Sequence, residues 1–155
     1  MKHPQKEEYA AYFHTYVSKV PAGDILKILK KQNDQIEKLL SDVSGKKSLF
    51  RYSPGKWSIR EIVGHMIDTE RIFAYRALRV ARNDRTPMPG FDQNDYVPFY
   101  NASQRSGSSI MEEYESIRNS TISLFENLSD DDFGRRGEAS GSPISSLSLG
   151  YMIAG

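Results

Sequence analysis

The sequence predicts an all-α fold, a four-helix bundle with one long crossover, from three observations. Apolar residues recur at helical spacing in several stretches, and capping signatures precede most of them. No stretch shows the period-two alternation of a half-buried strand. At 155 residues the chain fits one domain, 1–155, with no internal repeat and no linker long enough to separate a second.

The first element is a short helix: Tyr9, Tyr12, Phe13, Tyr16, Val17 and Val20 follow a helical period, and Pro21 and Gly23 end it. Asp24 caps the next, whose inner stripe is Ile25, Leu29, Gln32, Ile36, Leu39, Leu40 and Val43. The clearest signal begins at Trp57. Ser58-x-x-Glu61 is a capping box, and Trp57 with Ile62 has the spacing of a hydrophobic staple. The helix then runs to Asn83-Asp84, with Ile59, Ile62, Val63, Met66, Phe73, Ala77, Leu78 and Val80 inward. That is about 25 residues, or ~37 Å.

Residues 83–107 carry three prolines, two glycines and no helical period. A connection of this length can return along the preceding helix, so that the next helix lies parallel to it. Its Met88, Phe91, Tyr96, Val97, Phe99 and Tyr100 need something to pack on. Ser109-x-x-Glu112 reads as a second capping box, opening a helix with Ile110, Tyr114, Ile117, Thr121, Leu124, Phe125 and Leu128 inside. Ser129 and the three aspartates after it read as a turn or a new helix start. Ser142 and Pro143 read as N-cap and N1 of a last helix, with Ile144, Leu147, Tyr151 and Ala154 on its face. Its apolar period is still running at Gly155, so the last helix reads as cut short.

Composition narrows the function classes. A net charge of +1, from 21 basic against 20 acidic residues, argues against a nucleic-acid partner. There is no cysteine, which excludes disulfides, thiolate catalysis and cysteine-ligated metals. Apolar runs are far shorter than a bilayer span, and the polar start from Met1 to Glu8 lacks a signal-peptide core. The expected compartment is the cytoplasm, with no membrane contact.

Two residues on the long helix are the candidates for chemistry. His65 lies on the flank of the apolar arc, with Asp68 and Thr69 one turn away on its side. By spacing alone it reads either as a histidine satisfied by local partners or as one ligand of a metal site that needs two or three more. Glu70 falls well inside the apolar arc, where a carboxylate must be paired, hydrogen-bonded or protonated. Neither Arg71 nor Arg76 shares its face, so a partner has to come from another helix. Structural pairing and general-base chemistry both remain open for it. Tyr96, in the long connection, is a further pocket candidate.

The stretch from Gly55 to Arg71, Gly-Lys-Trp-Ser-Ile-Arg-Glu-Ile-Val-Gly-His-Met-Ile-Asp-Thr-Glu-Arg, resembles the DinB-like superfamily, which includes the YfiT-type metal-dependent hydrolases. The similarity extends through the Tyr-rich first helix, Gly23-Asp24, Pro89-Gly90-Phe91-Asp92 and Tyr151-Met152-Ile153-Ala154-Gly155. It implies a four-helix bundle of up-down-down-up topology, commonly a homodimer. It also implies a divalent metal, nickel or zinc, held by three histidines, one of which maps to His65. The other two belong to a His-x-x-x-His pair that follows a segment like Tyr-Met-Ile-Ala-Gly, so this chain is expected to lack a complete site. Thiol S-transfer with a low-molecular-weight thiol, or hydrolysis, is the chemistry the resemblance implies, on a small-molecule substrate. The alternative is a non-catalytic helical dimer or a small-molecule-binding module.

Overall fold

The computed structural model describes residues 3–41, 43 and 45–155. Met1 and Lys2, at the head of the polar N-terminal stretch, lie outside them. Among the described residues seven α-helices are present: α1 (His14–Val17), α2 (Ile25–Ser41), α3 (Ile59–Ala81), α4 (Gln93–Tyr96), α5 (Gly107–Glu126), α6 (Asp130–Gly134) and α7 (Ser146–Ala154). A hairpin of β1 (Arg136–Ala139) and β2 (Ser142–Ser145) precedes α7. The four bundle helices are α2, α3, α5 and α7, with α3 and α2 each packed against both α5 and α7. Among the described residues no helix is long and apolar enough to cross a membrane.

Side-chain pairings give the direction of each helix. Arg60 reaches the Arg105 carbonyl, Arg71 reaches Glu113 and Glu70 reaches Arg118, so α3 and α5 run parallel. Lys30 pairs with Glu126, whereas Ile36 and Leu40 pack with Tyr114 and Ile110, so α2 and α5 are antiparallel. Ile25 lies against Gly150 and Gln32 donates to the Ala154 carbonyl, so α2 and α7 are parallel. This is the up-down-down-up arrangement. The crossover between α3 and α5 makes it possible.

The capping box of α3 is as the sequence predicts: Ser58 accepts from the Glu61 amide, and Glu61 accepts from the Ser58 amide. Trp57 stands against the His65 ring, with centroids 5.0 Å apart. Ile62 is 41% exposed and Leu78 38%, so both lie at the edge of the buried arc. Leu39 of α2, at 67% exposure, is outside the core altogether. In the crossover, Met88 and Val97 are buried, but Phe99 is 82% exposed.

Four sequence expectations are corrected. The N-terminal helix is two 3-10 turns and the single α-turn α1, and Tyr12 and Tyr16 are exposed. The α5 cap is Ser106, which accepts from the Ser109 amide, while Ser109 accepts from Arg105. The helix start is therefore three residues earlier than the sequence reading. Ser142-Pro143 is not a helix start but part of β2; the α7 cap is Ser145. The hairpin itself has no sequence pattern long enough to read, and its turn is set by Ser140 (φ +54°) and Gly141 (φ +70°). Two consecutive left-handed residues match a two-residue turn to the twist of the strands. Met88 pairs with this hairpin, donating to the Glu138 carbonyl and accepting from the Ser140 amide, which pins the start of the crossover.

Gly64 lets the crossover reach α3. A Cβ there would stand 2.3 Å from the Tyr100 ring. Tyr100 then donates to Glu113 at 2.9 Å and accepts from Arg105 at 2.7 Å.

Among the described residues, the one fully buried ion pair joins α3 to α5. Arg118 Nε donates to Glu70 Oε1 at 2.9 Å and Nη2 to Oε2 at 2.9 Å, and Nη1 reaches the Leu29 carbonyl of α2 at 3.4 Å. Removing one partner leaves a buried charge uncompensated. Glu70→Ala should therefore cost about 3–5 kcal/mol in urea unfolding, and Glu70→Met combined with Arg118→Leu should recover most of that loss. A small effect of Glu70→Ala would show that the pair is not holding α3 on α5. Gly64→Ala should cost stability and release Tyr100, read as increased amide exchange over the crossover.

Candidate functional site

The helical period of α3 places His65, Met66, Thr69, Glu70, Phe73 and Arg76 along one stripe, and all six line a cavity of about 960 Å³. Tyr114 and Arg118 of α5, Gln32 and Ile36 of α2, and Met152 to Gly155 at the end of α7 form other walls. Tyr12, Phe13 and Tyr16 close it from the N-terminal segment, and Gly90 to Gln93 from the crossover. The volume is that of a small-molecule site.

His65 is half-buried at one end. Its Nδ1 lies 3.3 Å from the Thr69 hydroxyl, and burial lowers its pKa from the ordinary value. The imidazole is therefore neutral at physiological pH. In the tautomer whose Nδ1–H donates to Thr69, Nε2 keeps its lone pair, the state required of a metal ligand or a base.

The other candidates divide. Glu70 shares the cavity with His65, but Arg118 engages both its oxygens, which makes it part of the cavity wall and not a free base. Asp68 and Tyr96 are not brought to His65; they line a separate hollow with Arg71, Asp95, Tyr100, Arg105 and Glu113. Asp68 is 3.6 Å from Arg71, and burial pushes its carboxyl above the ordinary range. Burial acts upward on Glu113 too, but hydrogen bonds from Arg105, Arg71 and Tyr100 outweigh it and hold that carboxyl low.

Two cavity residues were missed in the sequence. Arg118 is the partner that Glu70 requires, yet nothing in the α5 pattern marks it. Arg76, which the sequence reading set apart from the face of Glu70, lies on the flank of the apolar arc near the angular position of His65 and lines the same cavity as both. It is 5% exposed. Tyr114, 1% exposed, has a hydroxyl without a hydrogen-bond partner.

The model of the DinB superfamily matches residues 28–155. The chain belongs to that superfamily. Among solved structures, YfiT from Bacillus subtilis is similar with a TM-score of 0.74 and 15% identity, over 99% of this chain and 85% of that one. YfiT is described as a probable metal-dependent hydrolase with an unusual four-helix bundle topology. A mycothiol-dependent maleylpyruvate isomerase is similar with a TM-score of 0.71 and 13% identity, over 89% of this chain. The chain spans only 58% of that isomerase. At these identities the likeness carries the DinB-like fold. No curated protein matches the sequence.

The described residues do not by themselves fit a metal. No group of three His, Cys, Asp or Glu side chains among them can hold an ion. Glu70 is committed to Arg118 and Asp68 faces another hollow, which leaves His65 as a single donor against the roughly three protein ligands that a catalytic zinc uses.

The depressed His65 pKa has a sign that can be measured. The unfolded chain takes up the imidazole proton more readily, so this histidine's contribution to stability is present above the unfolded pKa and lost as pH falls through the folded one. The His65 ring should titrate below the usual histidine value by NMR, and His65→Gln should flatten the acid-side loss of stability. A ring that titrates at or above the ordinary value would contradict the burial geometry.

Proposed function

We propose that this chain is a DinB-superfamily member acting on a small molecule bound in the α2–α3–α5–α7 cavity, with His65 at its reactive end as a ligand of a divalent metal, zinc or nickel. The carrying observation is that His65, kept neutral by burial and held by Thr69, shares its cavity with Ala154 and Gly155 at the end of α7. Support comes also from the two structural relatives, one described as metal-dependent and the other as mycothiol-dependent. Thiol S-transfer or hydrolysis is the reaction class proposed. A bound divalent cation would supply an activated thiolate or hydroxide. The residues present here have definite parts: His65 Nε2 offers the lone pair, Thr69 orients the ring, and Trp57 restricts its rotation. Phe13, Phe73 and Phe91 shield the site from water.

A second reading, a binding module without catalysis, is favoured by the single donor at the site. Calorimetric titration separates the two. The 155-residue chain should bind zinc weakly, and continuing α7 past Gly155 with a His-x-x-x-His segment should tighten binding by at least about tenfold, the scale on which completing a ligand shell acts. His65→Ala should abolish that gain. Equal binding by both forms, or a gain indifferent to His65→Ala, would overturn the metal-ligand assignment and leave the binding module.

A further inference from the structure

The opposite end of the same cavity contains a buried cation without an acid. Arg76 lies eleven residues after His65 on the α3 stripe, ~16 Å away at the helical rise. It is 5% exposed and, among the described residues, makes one hydrogen bond, from Nη2 to the Pro89 carbonyl at 2.7 Å. Its guanidinium sits over two aromatic rings, 5.7 Å from the centroids of Phe73 and Phe91. Among the described residues no carboxylate stands within ion-pair distance: Glu70 is taken by Arg118, and Asp92, exposed at the rim, caps α4 by accepting from the Asn94 amide.

A buried guanidinium in this position is costly. Burial works against its charged form, and only the two ring faces and one carbonyl offset that. The other buried arginine of the cavity, Arg118, has a full carboxylate partner. Arg76 needs an equivalent that the chain does not provide. Among the described residues its remaining donors find no protein acceptor, and the residue lines the cavity together with Asp92 and the neutral polar side chains Gln93 and Ser140.

We propose that Arg76 is the counter-charge for a carboxylate group of the small molecule that the cavity binds, with Phe13, Phe73 and Phe91 covering the ligand's apolar body. This rests on the reading of the cavity as the substrate site and adds the substrate class: a monocarboxylate whose reactive group points toward His65. The planar guanidinium fork matches a carboxylate in geometry. One free guanidinium, with the cavity's other arginine already paired to Glu70, suits a single negative charge better than a phosphate, which would call for further cations or a nest of amides. The competing account is that Arg76 merely clips the crossover through Pro89. A clip needs a donor and not a charge, and it predicts no ligand preference.

The test uses hydrocinnamate and its neutral amide, hydrocinnamamide, as matched probes in metal-free buffer. The wild-type chain should bind the carboxylate at least about tenfold more tightly, the scale of one charge-assisted hydrogen bond. Arg76→Met should bind the two probes equally, and Arg76→Lys should keep a reduced preference. Should Arg76→Met fail to fold, the wild type still decides. Its arginine Nε–H cross-peak that is missing from Arg76→Lys should move with hydrocinnamate and stay in place with the amide. Equal affinity for both probes, no binding of either, a preference that survives Arg76→Met, or an unmoved cross-peak each overturns the proposal. Because no metal takes part, failure here leaves the His65 reading standing, and failure of the zinc titration leaves the Arg76 reading standing.

Discussion

Glu70 and Arg118 meet through three hydrogen bonds at the centre of the bundle, with Arg118 extending to the Leu29 carbonyl. One contact thus ties α3, α5 and α2 together. Charges this deeply buried gain little net stability over apolar residues of the same shape, because desolvation consumes most of the attraction. Their value lies in what they forbid. A slip of α3 along α5 by one turn would leave both charges unpaired, whereas a purely apolar seam between parallel helices would tolerate neighbouring registers. The pair therefore fixes the register of α3 on α5, and the cavity depends on that register. His65, Thr69, Phe73 and Arg76 face the cavity only while α3 keeps it.

The crossover is held to this frame by close approaches rather than by length. Gly64 admits the Tyr100 ring, and Tyr100 passes the contact on to Glu113 and Arg105. At the other end Met88 adds to the hairpin edge, and Gly137 allows the hairpin to lie against Val80. Gly150 gives α7 the same closeness to Ile25 and Phe125. Each glycine sits where a side chain would push apart two elements that line or support the cavity. The crossover thereby places Phe91 beside Arg76.

The helices and the parallel return were legible because they rest on long-range periodicity and on the Ser58–Glu61 box, which is local chemistry repeated over many residues. The hairpin was not, because four-residue strands give alternation too few positions to register and Ser142-Pro143 imitates a helix start. Ser109-x-x-Glu112 misled for a similar reason: the motif is present, but Ser106 captures the orphan amide first. At the site, Glu70 was legible as an anomaly and its partner was not, since pairing across helices leaves no mark in either sequence pattern. Asp68 shares a helix side with His65 at i+3, yet the helix turns it far enough to meet Arg71 and a different hollow. Sequence spacing resolves a face; it does not resolve which neighbour covers that face.

The two polar ends of the cavity differ in how burial treats them. At His65 burial removes a charge, leaving a neutral imidazole whose lone pair is available. At Arg76 burial opposes a charge that the guanidinium nonetheless retains, since its intrinsic basicity is far above any accessible pH. A single helix thus presents a neutral donor and a fixed cation at the two ends of an apolar chamber. Such an arrangement orients a ligand before any chemistry: the anionic end is drawn to Arg76 and the apolar body fills the space among the rings. The remaining end is delivered to His65. The separation is set by the rise of α3 and not by flexible loops, so orientation would be built into the fold, and binding would lose little entropy in establishing it.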